Sequence, residues 1–194
     1  ALLAHLKAGD HLLMTDSAYQ PSRNFCDRVL KRYGVDVEYY DPRIGKGIEK
    51  LLRPETAVVF TESPGSVTFE VQDLPAISEA AHRAGAIVMI DNTWASPLYF
   101  RPFDHGADIS IQAVTKYLCG HSDVMMGAIT TTEAAWKETL ADHGAIGQCA
   151  GPDDIYLVLR GLRTLSVRLE RHMETGLALA RWLGERSEVA QVIH

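Results

Sequence analysis

Short apolar runs recur along the chain, separated by stretches in which apolar residues return at helical spacing. A bulky apolar run bounded by polar or glycine residues is typical of a buried strand. Residues 57–61 form an uninterrupted run, as expected for a parallel strand that is buried on both faces. Strands are predicted at residues 10–15, 35–40, 57–61, 86–90, 109–114 and 125–131, and a further strand is expected to begin at residues 189–193.

Helices are predicted between these strands, with proline and glycine marking some of their ends. Pro21 suits a first helical turn, and Gly34 ends the same helix. Asp153 or Asp154 is expected to cap a helix that runs through Arg160. Strands that alternate with helices predict an α/β fold with a mostly parallel central sheet. The predicted helices cover residues 1–8, 21–33, 73–84, 133–143, 153–160 and 164–186, and residues 97–106 are expected to be partly helical.

Length and charge narrow the class of protein. The 194 residues are enough for one domain with a sizeable core, and 46% hydrophobic with 23% charged residues is an ordinary globular composition. A formal net charge of −6 argues against nucleic acid or an anionic membrane as a partner. No signal peptide or membrane-spanning segment is predicted, so we expect a cytoplasmic protein.

Several common sites are absent from the sequence. The cysteines Cys26, Cys119 and Cys149 are odd in number and lack a Cys-x-x-Cys pair, which favours reduced thiols in a cytoplasm. No histidine spacing typical of a metal site occurs. Gly45-Lys46-Gly47 lacks the third glycine of the dinucleotide fingerprint, because Lys50 stands there. A nicotinamide-dependent oxidoreductase is therefore the least favoured class of enzyme.

Two reactive side chains follow the ends of predicted strands. Asp91 comes directly after strand 86–90, and Lys116 comes just after strand 109–114. In open α/β sheets, ligands bind at the carboxyl ends of the strands. A lysine held there, shielded by Tyr117 and Leu118, can act as a nucleophile toward a carbonyl, whereas a carboxylate there is costly unless it is paired. The alternatives are a solvated surface lysine and an aspartate that caps a helix.

The residues around Lys116 carry a resemblance to a known family. The stretch consists of Asp108, an apolar residue, three free positions, two small residues, Thr115-Lys116-Tyr117-Leu118, a free position and Gly120-His121-Ser122. Together these positions resemble the cofactor-attachment signature of the pyridoxal phosphate-dependent enzymes of cysteine and methionine metabolism. The resemblance implies the large domain of fold type I, a three-layer sandwich. It also implies that Lys116 holds pyridoxal 5'-phosphate as a Schiff base and later acts as the base for the α-proton. Asp91 is then expected to bind the protonated pyridine nitrogen.

Three more residues are expected at the cofactor from the same resemblance. An aromatic residue at the position of Tyr19 stacks on the pyridine ring in the family, and its phenol can assist proton transfer; otherwise Tyr19 is an ordinary interfacial tyrosine. Thr115 is expected to offer its hydroxyl to the phosphate. Ser66 ends the turn Glu62-Ser63-Pro64-Gly65-Ser66, where many relatives carry Asn near the phenolic oxygen. No metal is expected.

Small differences from the residues usual in the family indicate which branch of it the chain resembles. Gln112-Ala113 before the lysine and Pro64-Gly65-Ser66 look most like the bacterial β-lyase branch, although many relatives have Ser in place of Ala113. This implies carbon–sulfur β-elimination, in which cystathionine gives homocysteine, pyruvate and ammonia during methionine biosynthesis. The alternatives are a γ-synthase, a γ-lyase including methionine γ-lyase, and a non-catalytic regulator that binds pyridoxal phosphate.

The ends of the sequence predict that more chain belongs to the enzyme. Residues 1–194 resemble the cofactor-binding large domain of proteins about twice as long, without their N-terminal segment and C-terminal domain. The family's glycine-containing phosphate turn would precede Ala1, and its carboxylate-binding arginine belongs to the C-terminal domain. The fragment alone is therefore expected to be inactive. The resemblance also implies a homo-oligomer, usually a tetramer.

Overall fold

The computed structural model describes residues 1–66 and 68–193, which pack as two compact units. The first unit contains residues 1–113 and 127–149, and the second contains residues 114–126 and the chain from Ala150 onward. In the described part of the chain, no helix is both long enough and apolar enough to cross a bilayer.

A six-stranded sheet forms the centre of the first unit in the described chain. The strand order is β2-β1-β3-β4-β5-β6, and all neighbours are parallel except β5 and β6. The six predicted strands and the mostly parallel sheet are thus confirmed, whereas the strand expected at residues 189–193 is wrong. The strands are β1 (His11–Thr15), β2 (Asp36–Tyr40), β3 (Thr56–Glu62), β4 (Ile87–Asp91), β5 (Ile109–Ala113) and β6 (Gly127–Thr131).

Apolar side chains cover both faces of the sheet. Leu12 and Met14 of β1 join one buried cluster, and Leu13 between them joins another, because successive side chains of a strand point to opposite faces. Each fully buried Leu or Met contributes about 1.5–3 kcal/mol to stability. Helices pack against each cluster, so the first unit is a three-layer sandwich, as predicted.

The helices of the first unit follow the predicted order. The helix expected at residues 21–33 is α-helical only at its start and continues as π-helical Cys26–Leu30 and 3-10 Lys31–Tyr33. Gly34 ends it with a φ of 84°, a conformation that glycine adopts easily. The helix expected at residues 1–8 is shorter. The bounds are α1 (Leu2–His5), α2 (Gln20–Phe25), α3 (Leu74–Arg83), α4 (Ser96–Tyr99) and α5 (Glu133–Ile146), with further 3-10 turns at Gly45–Lys50 and Pro102–His105.

The second unit consists of an irregular segment, residues 114–126, and two helices, α6 (Pro152–Leu162) and α7 (Leu165–Gly184). The N-cap of α6 is Gly151, so the expected cap at Asp153 or Asp154 is wrong. Both aspartates lie in the first turn instead, where negative charge favours the helix dipole. Gly161 of α6 packs directly on residues 114–126, because a Cβ there would lie 2.1 Å from the Cys119 carbonyl oxygen.

Candidate active site

Asp91 is the last residue of β4 and lies at the carboxyl-end edge of the sheet. Its Oδ1 accepts hydrogen bonds from the Thr93 N–H at 3.0 Å and the Thr93 hydroxyl at 2.5 Å. Thr93 Oγ1 in turn accepts the N–H of Ala113, the last residue of β5, at 2.8 Å. The carboxylate is therefore fixed relative to two neighbouring strand ends, while its second oxygen accepts no hydrogen bond from the described residues of this unit.

The surroundings of Asp91 suit a cationic ligand. Burial raises the pKa of Asp91, and the two hydrogen bonds from Thr93 oppose that rise. Within the described part of this unit, no lysine, arginine or histidine forms an ion pair with Asp91. The capping alternative is wrong, because α4 begins at Ser96 with Ala95 as its N-cap. Even a half-buried carboxylate is less costly with a cation beside it, and a protonated pyridine nitrogen would supply that charge.

Tyr19 and Ser66 lie on separate turns that share one carboxylate, Glu62. Tyr19 is the N-cap residue of α2, and its N–H donates to Glu62 Oε2 at 2.8 Å. The Ser66 hydroxyl donates to Glu62 Oε1 at 2.5 Å. The Tyr19 side chain is 52% exposed, so its ring is accessible to a ligand.

Glu62 is a site residue that the sequence reasoning missed. It is only 4% exposed, and it lies opposite Asp91 in the pairing of β3 with β4. Burial raises the pKa of Glu62, and the nearby Asp91 charge acts in the same direction, whereas the hydrogen bonds from Ser66 and Tyr19 oppose the rise. The signal was present in the sequence, because Glu62 also follows an apolar run, as Asp91 does.

Lys116 and Thr115 belong to the second unit. The Lys116 side chain is exposed, and its carbonyl accepts the Gly120 N–H at 2.8 Å. Gly120 has a φ of 77°, a left-handed conformation that glycine adopts easily in a tight turn. The Thr115 hydroxyl accepts the Met126 N–H at 3.0 Å and donates to the Met126 carbonyl at 3.3 Å. That second bond is long, so the Thr115 hydrogen remains available to a stronger acceptor such as phosphate.

The two neighbours expected to shield Lys116 are themselves at least partly withdrawn from solvent, but the lysine is not. Leu118 is buried and Tyr117 is half-buried, whereas the lysine side chain reaches solvent. The lysine segment is held by α7 as well as by α6. Arg168 donates to the Gly161 carbonyl at 2.9 Å, and its guanidinium lies 2.2 Å from where a Gly120 Cβ would be.

Comparison with known proteins decides the family. The sequence matches the family described as "Cys/Met metabolism PLP-dependent enzyme" over residues 1–194. The chain belongs to this family. Its members depend on pyridoxal 5'-phosphate, so the cofactor expected from the residues around Lys116 is confirmed at the level of the family.

The chain spans about half the length of the relatives it matches. It is 57% identical over 192 residues to a putative cystathionine β-lyase of Rhizobium johnstonii, covering 99% of this chain and 48% of that protein. It is 47% identical to the cystathionine β-lyase MetC of Escherichia coli, covering all of this chain and 50% of that protein. The crystal structure of a cystathionine γ-lyase from Lactobacillus plantarum with L-serine aligns with a TM-score of 0.93 at 30% identity, covering 96% of this chain and 49% of that one.

Proposed function

We propose that residues 1–194 form the cofactor-binding part of a pyridoxal phosphate-dependent carbon–sulfur lyase. The proposed reaction cleaves cystathionine to homocysteine, pyruvate and ammonia, a step of methionine biosynthesis. The observation that carries the proposal is the half-buried carboxylate of Asp91, which lacks a cation within the described part of its unit and is held at a strand end. The similarity to two β-lyases supports the choice of reaction.

Lys116 has two successive roles in this proposal. Its Nζ would hold the cofactor before the substrate binds. The freed amine removes the proton from the substrate α-carbon, as a general base. When bound, pyridoxal phosphate withdraws electrons from that carbon into its ring, which eases proton loss and departure of the β-thiol.

Asp91 keeps a proton on the ring nitrogen, and this fixed charge contributes to rate because it is in place before the reaction begins. We propose that the Tyr19 ring stacks on the pyridine and that its phenol assists proton transfer. Thr115 is assigned to the phosphate and Ser66 to the region of the phenolic oxygen. The Thr115 hydroxyl is already hydrogen bonded to Met126, so its role requires an exchange of partners, whereas Ser66 can keep its bond to Glu62 and face the cofactor as a hydrogen-bond acceptor.

The whole protein is proposed to be a cytoplasmic homo-oligomer, with a tetramer expected from the resemblance. Its substrate is a sulfur-containing amino acid, and no nucleic acid or membrane partner is expected, in keeping with the net charge of −6. The single-domain interpretation of residues 1–194 remains a prediction.

The experiment that tests the proposal is a product assay with the full-length protein. Cystathionine should yield pyruvate and homocysteine, and Lys116→Ala should abolish both turnover and the visible absorbance of lysine-linked cofactor. Turnover that persists in the Lys116→Ala protein would refute the assignment. Full cofactor occupancy without turnover on any thiol amino acid would instead favour a non-catalytic regulator.

A γ-acting enzyme is the second candidate, because the chain also aligns closely with a cystathionine γ-lyase structure. The two reactions break different carbon–sulfur bonds of the same substrate. Cysteine and 2-oxobutyrate as products would favour γ-elimination, whereas homocysteine and pyruvate would favour β-elimination.

A further inference from the structure

A single buried carboxylate joins the two turns that carry Tyr19 and Ser66. Each oxygen of Glu62 accepts one hydrogen bond, from the Tyr19 N–H at 2.8 Å and from the Ser66 hydroxyl at 2.5 Å. The first turn follows β1 and the second follows β3, and the two turns are far apart in sequence. Glu62 therefore fixes the distance between two groups that the proposed function assigns to one cofactor.

We propose that Glu62 is a positioning residue, which holds the Tyr19 backbone and the Ser66 hydroxyl in the geometry that the cofactor requires. The inference rests on the proposed function and deepens it. Glu62 acts through its two partners in this account and is not itself assigned a contact with the cofactor.

The Tyr19 bond sets the start of α2. Tyr19 is the N-cap of that helix, and its carbonyl accepts the N–H groups of Ser22 at 2.9 Å and Arg23 at 3.2 Å. Its own N–H points the other way, to Glu62. The backbone of Tyr19 is thus held from both sides, which limits the positions that its exposed ring can reach.

The Ser66 bond sets the direction of a hydroxyl. A serine hydroxyl has one hydrogen, and here it is donated to Glu62 Oε1. Ser66 can then face another group only as a hydrogen-bond acceptor. Loss of the carboxylate would free that hydrogen and let the hydroxyl rotate.

Other bonds hold the same turns without the carboxylate. The Ser66 N–H donates to the Ser17 carbonyl at 2.9 Å, and Gln72 Nε2 donates to the Glu62 carbonyl at 2.9 Å. Gly65 packs so closely on Ser17 that a Cβ would lie 2.5 Å from its hydroxyl oxygen. Because these contacts use backbone atoms and neighbours, we expect a variant without the carboxylate to fold and to lose only the fine placement of Tyr19 and Ser66.

Three variants of the full-length holoenzyme test the proposal. Glu62→Ala removes both acceptors. Glu62→Gln keeps the Tyr19 bond, because its amide oxygen can accept the Tyr19 N–H, but its amide nitrogen donates to Ser66 and so frees the hydroxyl hydrogen. Asp10→Ala is the matched control, because Asp10 also accepts one backbone N–H and one side-chain donor, both from Lys7 at 2.9 Å, and it lies before β1 at the amino ends of the strands.

The readouts are the visible circular dichroism of bound pyridoxal phosphate, its dissociation constant, and kcat. We expect Glu62→Ala to weaken the dichroism, to raise the dissociation constant about tenfold, as for one lost charge-assisted hydrogen bond, and to lower kcat by about 10- to 100-fold. Glu62→Gln should recover the part of these changes that depends on Tyr19 and give values between those of wild type and Glu62→Ala. Asp10→Ala should leave the dichroism unchanged.

A Glu62→Ala holoenzyme with wild-type dichroism and cofactor affinity would overturn the proposal, as would equal changes in Glu62→Ala and Asp10→Ala. If Glu62→Ala does not fold, Glu62→Asp replaces it, because its shorter side chain cannot reach both donors. Wild-type dichroism and cofactor affinity in Glu62→Asp would equally overturn the proposal. Failure of the proposed function is distinguishable, since wild-type protein itself would then not bind pyridoxal phosphate or not cleave cystathionine.

Discussion

Gly161 offers a sharp test of how α6 supports the segment that carries Lys116. A Cβ at this position would lie 2.1 Å from the carbonyl oxygen of Cys119 and 2.6 Å from that of Leu118. Both contacts are with backbone, which cannot rotate away as a side chain can. Gly161→Ala therefore forces the helix and the segment apart by about 0.9 Å before the first contact reaches 3.0 Å, the closest approach that real Cβ atoms show.

The displacement sets the size of the expected effects. Overpacking of this kind costs about 1–3 kcal/mol of stability. In a domain of about 150–250 residues, each kcal/mol lowers Tm by about 2–4 °C. Because a shift of about 1 Å in a catalytic group can cost about 100-fold in rate, kcat is expected to fall by that order. Both effects share one cause, so they should appear together.

The assay compares Gly161→Ala with Gly184→Ala in the full-length holoenzyme, by thermal melting and by steady-state turnover. Gly184 is the last residue of α7, and a Cβ there would meet nothing within 4 Å. Both substitutions gain the same helix preference of about 0.5–1 kcal/mol for Ala over Gly, so the comparison isolates the close contact. Equal Tm and kcat in the two variants would refute the reasoning.

Two further predictions concern the first unit. In cofactor-free protein, Asp91→Asn should raise the free energy of unfolding at pH 7, because burial raises the folded pKa of Asp91 and so penalises its charged form. This gain in stability should shrink as the pH falls toward the pKa of the unfolded chain, near 3.8. Urea denaturation at pH 7 and at pH 4 measures both effects. A gain that stays constant with pH would contradict the prediction. Asp73→Ala should cost about 1 kcal/mol of stability with kcat unchanged, because the Asp73 side chain accepts the Ala76 N–H at 3.2 Å as the N-cap of α3. An unchanged denaturation midpoint would argue against that cap.

The sequence predicted the sheet well because the central strands β1, β3 and β4 are mostly apolar, as a sheet buried on both faces requires. The ends of the strands differ from the prediction by one residue, or by two at the start of β6. It failed at residues 189–193, where a short apolar pattern has no neighbouring strand to pair with in the described chain. It also failed at the α6 cap, where Gly151 stands ahead of Pro152 and the aspartates fall inside the first turn.

Of the candidate site residues, the sequence predicted only those that belong to a recognisable motif. Lys116 and Asp91 stand out because each follows an apolar run and fits the family pattern. The role of Glu62 depends on a hydrogen bond to Tyr19, 43 positions away, which no local pattern encodes. The two bonds of the Thr115 hydroxyl to Met126 were missed for the same reason, since they depend on how residues 114–126 fold back on themselves.

Lys116 and Asp91 are proposed to bind one pyridoxal phosphate. A crystal structure of the full-length holoenzyme would show whether they do. We expect pyridine-ring density joined to Lys116 Nζ, with an Asp91 carboxylate oxygen about 2.7–3.2 Å from the ring nitrogen. Density joined to a different lysine, or a ring nitrogen that faces solvent or another residue, would contradict it.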